Sequence, residues 1–467
     1  ADTLELLPAA VVPAELRAAL EKLLAAEIVQ VCDDWATKRP WFVQAQNAIT
    51  NQWVLPTEGL LRACLVLGRE RHAVAYELAV KNLLMSLDGH GPDGEFAEGI
   101  HYAQFTVTSQ LNAARAMACA GDDRALGHPF LKRYPDWYLQ HFQPGRQVIN
   151  CFDAFNASPA PRDDKRYRSA LSVLAVLAGS SEARWALDAL FDGPSDDLYG
   201  WLASALPAAT KPPPLLANFE RATRVNWRSS WADDASGCWV RGGHATDQHD
   251  HQDRGHVSFT THGQPLLIEA GTPAYHHPDL SRLFGSTVGH NVPQIGQRQV
   301  PAGTANPEAR RVTGYQRDRS VAPLSDARLD AAGGEVTVNG DAVYPEASRW
   351  RRTVRWDAEH LECQDDLALK ATPEVVQWRW HLATSAKVTL TTLPNGAWRA
   401  AWPGATLEAQ ADGPLRASLV ELPDCTLEVR DWDDPRPSAT HHCLILATAQ
   451  PVAACPLHIN LHAAQEQ

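Results

Sequence analysis

Residues 248–271 read QHDHQDRGHVSFTTHGQPLLIEAG and gather His249, His251, Asp253, His256, His262 and Glu269 in a stretch otherwise patterned as two β-strands and a turn. Successive strand residues point to opposite faces, so a strand over HDHQD would put His249, His251 and Asp253 on one side. Glu269 follows His251 by 18 positions, which lets it return alongside on the next strand. Leu266, Leu267 and Ile268 precede it, so its carboxylate is expected to be buried and in need of a partner. His290, in STVGHNVPQIGQ, is a third candidate ligand. Two imidazoles and a carboxylate are a common set for a divalent cation and suit zinc best. For any of these histidines taken alone, the alternative is a solvated loop position or a satisfied structural role. A cupin-type His-x-His site fits poorly, because it wants an acid three to four residues past the second histidine, where this chain has Arg254 to His256.

Two kinds of element must position these residues. From about Thr3 to Leu206 the chain is rich in Ala and Leu, and PAELRAALEKLLAAEIVQVCDDW, PTEGLLRACLVLGR and AQFTVTSQLNAARAMACAG repeat apolar residues at helical spacing. Several such stretches are apolar on more than one face, which suits layered helical hairpins, as in an incomplete α/α toroid. KPPPLL, residues 211–216, cannot continue a helix and reads as a spacer. Beyond it come short alternating segments such as GCWVRGG, HVSFTTHG, AKVTLTTL and CTLEVRDW, the texture of an antiparallel β-sandwich. The expected division is a helical toroid over 1–210, a linker over 211–224 and a sandwich over 225–467 that carries the metal site.

The 467 residues, 45% hydrophobic, are enough for two or three domains with real cores. A formal charge of -13 and the lack of a basic run argue against nucleic acid. No apolar run of membrane-spanning length occurs, so no membrane partner is expected. Nine cysteines without a C-x-x-C pair read as reduced, core-packing thiols. The chain starts at Ala1 without a basic and apolar leader, so the expectation is a periplasmic or secreted protein if a signal was removed, and a cytoplasmic one otherwise. Oligomeric state is not indicated.

HDHQDRGHVSF, LLIEAGTPAY and SRLFGSTVGHN together resemble the core of the heparinase II/III-like polysaccharide lyases. That family pattern is H-x-H-x-D-x-G-x-F, an acidic residue before Gly-x-x-x-Tyr, and a later Arg followed by His-Asn. The resemblance implies a helical toroid followed by an antiparallel sandwich. It places His251, Glu269 and His290 at the metal-ligand positions and His249 at an active-site histidine. Members more often carry Asp where this chain has Glu269. A divalent metal, zinc above all, would mainly support the architecture of the site.

In the helical half, GPDGEFAEGIHYAQF resembles the family's acidic-Gly-x-x-Tyr stretch and puts Tyr102 at the catalytic tyrosine. A rim aromatic packed in a helix is the alternative. Glu98 would orient substrate or the tyrosine. NAITNQWVLPTEGLL resembles the Asn-containing stretch opening an inner helix, so Asn51 is the candidate neutraliser of a substrate carboxylate, with Asn47 as fallback. Gln52 stands where many members place a His. Trp53 and Trp41 are candidate sugar-stacking walls, although most of the 16 tryptophans must be core. Arg241, Arg254 and Arg282 lie in or beside the motifs and could clamp carboxylate or sulfate, with ordinary salt bridges as the alternative.

The expected activity is β-elimination on an anionic, uronate-containing polysaccharide or oligosaccharide. The substrate carboxyl must be neutralised, a base must take the proton beside it, and an acid must meet the leaving oxygen. Two alternatives stay open: a glycoside hydrolase using Asp93, Glu95 or Glu98, and a carbohydrate-binding protein without catalysis.

Overall fold

The computed structural model describes residues 4, 7–8, 10–153, 165–273, 275, 277–296, 315–317, 319–424 and 439–464. Internal contacts divide the chain into a helical unit, 1–139 with 162–211, and a second unit, 140–161 with 212–467.

The helical unit holds α1 (Ala14–Thr37), α2 (Asn51–Leu67), α3 (Ala73–Gly89), α4 (Gly99–Cys119), α5 (Pro129–Leu139), α6 (Lys165–Val173), α7 (Ser181–Ala189) and α8 (Leu198–Ser204). Helix α2 packs on α1, α3 and α4, and α6 packs on α7 and α8. The Thr50 hydroxyl caps α2 by accepting from the Trp53 amide at 3.3 Å, which satisfies one of the donors that every helix start leaves open. In α4, Ile100, Ala103, Val107, Leu111 and Ala114 are buried, the helical spacing read from the sequence. No helix of the described residues is long and apolar enough to cross a membrane.

The second unit opens with a small hairpin, β1 (Phe142–Gln143) and β2 (Gln147–Val148). Its larger sheet comprises β3 (Leu216–Phe219), β4 (Arg224–Arg228), β5 (Gly237–Arg241), β6 (Val257–Thr261), β7 (Gln264–Ile268), β8 (Pro293–Ile295), β9 (Val376–Leu382), β10 (Leu415–Asp424) and β11 (Ala439–Thr448). Their order is β10-β11-β9-β7-β6-β5-β4-β3, with β8 also paired to β9. A further sheet of eight strands runs over 324–330, 333–339, 347–356, 360–369, 389–392, 398–402, 405–411 and 454–463. Residues of both sheets form one apolar cluster, in which Trp227, Val240, Phe259, Trp350, Val354, Trp378 and Leu461 are all fully buried. The period-two rule is visible in β5, where Cys238 and Val240 enter that cluster while Trp239 joins Ile149, Cys151 and Phe152 in a separate one.

Two boundaries differ from the expected ones. The span 211–224 is not a free spacer: the Trp231 indole donates to the Pro213 carbonyl at 2.8 Å, the Gln140 amide to that of Pro214 at 2.7 Å, and β3 begins at Leu216. The second unit also claims residues 140–161 from the middle of the helical half. Eight cysteines are free thiols, six of them buried, and Cys425 lies outside the described residues.

Candidate functional site

Between β5 and β6 the chain makes a long loop, and buried charge fixes its path. The Arg241 guanidinium, 1% exposed, bonds Asp253 and reaches Asp247 at 3.0 Å and Asp250 at 2.6 Å. Arg254, equally buried, pairs with Asp250 at 2.5 Å and donates to the His251 carbonyl at 2.7 Å. Three carboxylates face two guanidiniums, and burial pushes the Asp247 carboxyl up to about 6. Asp250 is pushed up by burial too, but the charges of Arg254 and Arg241 outweigh that and hold it below its usual value. Gly255 closes the loop at φ +84°, where an added Cβ would stand 2.5 Å from the Trp350 ring. HDHQD is therefore a loop rather than the expected strand, with His249 at φ +53°. Arg241 is committed to three aspartates, which corrects its assignment as a substrate clamp, and Arg254 is committed in the same way.

His251, Glu269 and His290 nevertheless converge. Glu269 directly follows β7, and His290 follows the tight turn Thr287–Gly289. One ligand atom from each lies within 4.8 Å of the others, and all three residues are buried. His290 Nδ1 stands 2.9 Å from Glu269 Oε2. His251 Nδ1, both Glu269 oxygens and both His290 nitrogens have no well-formed hydrogen bond among the described residues. Buried polar atoms left so cost about 1–3 kcal/mol each, and a divalent cation would satisfy them, so the donor set fits one. Burial raises the Glu269 pKa against the opposing pull of His290. Burial lowers that of His251, yet the Asp153 carboxylate more than reverses it.

Asp153 is the residue that sequence reasoning missed. Its Oδ1 lies 3.1 Å from His251 Nε2, which leaves Nδ1 of that ring for a cation, and its Oδ2 lies 2.9 Å from His249 Nδ1. Its backbone N–H also donates to the His249 carbonyl at 3.0 Å. Burial pushes the Asp153 carboxyl up, but the bonds from His249 and His251 outweigh it and hold its pKa well below the usual carboxylate range. The Tyr275 hydroxyl, last residue of the motif LLIEAGTPAY, stands 2.9 Å from Asp153 Oδ2 and 3.0 Å from His249 Nδ1. Tyr275 is 40% exposed and the His249 side chain 30% exposed, so this arrangement has an open side. The available signal for Asp153 was a carboxylate inside the apolar run VINCFDAF, where a charge must find a partner.

His256 is buried between other duties: it accepts from the Asn291 amide at 3.1 Å and meets the Ser258 hydroxyl at 2.8 Å. His262 is exposed. Arg282 is half-buried and bonds Asp279 at 2.8 Å. Gln297 and Gln299, unassigned from sequence, lie outside the described residues.

In the helical unit, Asn51 and Gln52 open α2, the first half-buried and the second exposed. Trp53, 3% exposed, donates its indole N–H to the Asn82 carbonyl at 3.0 Å and packs on Val43, Ala48 and Val54, so it is core and not a sugar wall. Trp41 is 52% exposed. Tyr102 sits half-buried in the first turn of α4, its ring 5.6 Å from that of Phe105. Glu98 precedes α4 and is buried.

Residues 237–430 match the family model described as Heparinase II/III-like, C-terminal. No curated protein matches the chain. Among solved structures, a heparinase III aligns with TM-score 0.67 at 13% identity, over 90% of this chain and 62% of its own. A heparan sulfate lyase from Pedobacter heparinus aligns at 0.64 and 12%, over 89% and 60%. A chondroitin AC lyase from Streptomyces coelicolor A3, in complex with chondroitin sulphate, aligns at 0.55 and 11%, over 90% and 61%. The chain thus spans about three fifths of the structures it resembles, and at these identities the likeness is one of fold. The likeness to the heparinase II/III-like family is thus carried by residues 237–430, on a chain whose fold is the helical toroid and antiparallel sandwich expected from the sequence.

Proposed function

We propose that the protein is a polysaccharide lyase that cleaves an anionic, uronate-containing polysaccharide or oligosaccharide by β-elimination. The observation that carries this reading is the half-exposed His249 and Tyr275 pair on Asp153, set beside the buried His251, Glu269 and His290 cluster. The ionised Asp153 favours the tautomer with the proton on His249 Nδ1, so Nε2 is the basic nitrogen. In that form His249 takes the proton next to the substrate carboxyl. Tyr275, in hydrogen-bond reach of His249 Nδ1 and Asp153, supports the charge that the ring then acquires. Tyr102 protonates the leaving sugar oxygen, and Asn51 neutralises the carboxyl with its amide without bringing a charge. His251, Glu269 and His290 would hold the divalent cation, and their donor types favour zinc. When bound, the cation supplies a fixed positive charge that ties three loop segments together.

The hydrolase alternative needs two carboxylates at the bond, but Glu95 and Glu98 are buried, and Glu95 accepts from the Asp93 amide at 2.8 Å. The test is ultraviolet absorbance during incubation with a panel of polyuronates and glycosaminoglycans, for the wild type, His249→Gln and Tyr102→Phe. A rise from the new conjugated double bond, lost in both variants, is the expected outcome. Reducing ends without that absorbance would overturn the lyase reading.

A further inference from the structure

Strand β9 carries a histidine on which the segment around His290 hangs. His381 is fully buried, and its backbone N–H donates to Asn291 Oδ1 at 2.7 Å. Its ring Nε2 lies 3.0 Å from the Val288 carbonyl. One residue therefore grips the chain on both sides of the ligand His290. The grip extends further, because the Asn291 amide donates to the carbonyls of Val257 and of Ile268, each at 2.8 Å, and Ile268 directly precedes the ligand Glu269.

Behind His381 stands a second buried histidine and a buried acid. His381 Nδ1 is 2.7 Å from His441 Nε2, and His441 Nδ1 faces Asp424 Oδ2 at 3.4 Å, with both of those side chains fully buried. The direction of this chain follows from donor chemistry. A carbonyl only accepts, so His381 Nε2 carries the hydrogen that meets Val288. The neutral ring then accepts at Nδ1 from His441 Nε2–H, and His441 turns its Nδ1 edge toward Asp424. The ring of His381 is thus fixed in rotamer and tautomer by groups that do not touch the ligands themselves.

We infer that His381, held by His441 and Asp424, is a positioning residue for the cation ligand His290. The inference rests on reading His251, Glu269 and His290 as a cation site. Outer partners usually orient a ligand by bonding its ring. Here the positioning acts through the backbone of Val288 and the side chain of Asn291.

The experiment measures zinc affinity by competition with a chromophoric chelator, and the visible spectrum of the Co²⁺-loaded protein, for the wild type, His381→Leu, His441→Leu and His441→Gln. The glutamine amide can still donate to His381 Nδ1, whereas leucine cannot. Both leucine variants are expected to weaken zinc binding by about 10- to 100-fold and to alter the Co²⁺ bands, with His441→Gln staying within about threefold of the wild type. Should His381→Leu fail to fold, the His441 pair decides, since its bonds reach no residue flanking His290. Unchanged affinity and unchanged Co²⁺ bands in the folded leucine variants would overturn the positioning role, as would a loss of urea resistance with affinity intact. A wild type that binds neither Zn²⁺ nor Co²⁺ would instead overturn the cation site on which the inference rests.

Discussion

The sandwich and the helical unit hold their candidate chemistry by different means. In the sandwich, His249 and His251 sit on irregular backbone whose course is set by buried ion pairs around Arg241 and Arg254, and Asp153 meets both of them from another irregular segment. In the helical unit, Asn51 and Tyr102 sit in the first turns of α2 and α4, where backbone hydrogen bonds and apolar packing set their direction. The lesson is that a functional loop needs no regular element if it encloses enough paired charge, but it then depends on every member of that network. A helix-borne residue carries no such dependence, and exchanging its functional group should leave the fold alone.

The comparison breaks most visibly at the chemistry itself. His249→Ala should lower turnover by roughly a hundred- to ten-thousand-fold with the fold intact, read as the rate of double-bond formation. Tyr102→Phe should act comparably, and a variant at either position with wild-type rate removes that residue from the mechanism. Next comes the network: Arg241→Met leaves buried aspartates without their partner and should cost about 3–5 kcal/mol of stability, measured by urea unfolding of the sandwich transition. Tyr102→Phe should leave that transition unmoved.

Removing the cation is expected to have a somewhat smaller effect. Chelation should destabilise the sandwich by about 3 kcal/mol relative to protein held at cation concentrations near a hundred times Kd. A calorimetric scan in which the helical unit moves equally would contradict the confinement of the site to one unit. The smallest effect concerns pH. Asp247, raised to about 6 from 3.8, contributes stability that is complete below the unfolded value and is lost as pH rises through 6. Asp247→Asn removes that loss, so its stability relative to the wild type should be greater at pH 8 than at pH 4. Equal differences at both pH values would show that Asp247 is not the titrating group.

Much of this arrangement was legible in the sequence, for identifiable reasons. The change from helical to alternating texture near residue 211 reflects periodicity over long stretches, which survives tertiary context. His251, Glu269 and His290 were legible because donor types and the apolar run before Glu269 point to a buried polar cluster. Asp153 was not, because it stands on irregular chain past β2, where no period marks which way a side chain faces. Arg241 and Trp53 were misread for one shared reason: residue type suggests a ligand contact equally well whether the side chain faces solvent or the interior. HDHQD was read as a strand because alternation ignores the charge balance that Arg241 and Arg254 impose on it.

The chain's path through the two units also bears on its synthesis. Residues 140–153 belong to the sandwich, yet α6, α7 and α8 are made before the strands that receive them. On the ribosome, the β1-β2 hairpin and the Asp153 that follows it emerge before β4 to β7 exist to cover them, a wait of several seconds to some tens of seconds at typical elongation rates. During that interval Phe142, Ile149 and Phe152, all buried in the folded protein, have no sandwich to bury them. By the same topology, a fragment cut at residue 212 would fold, if it folds, without the carboxylate that joins His249 to His251.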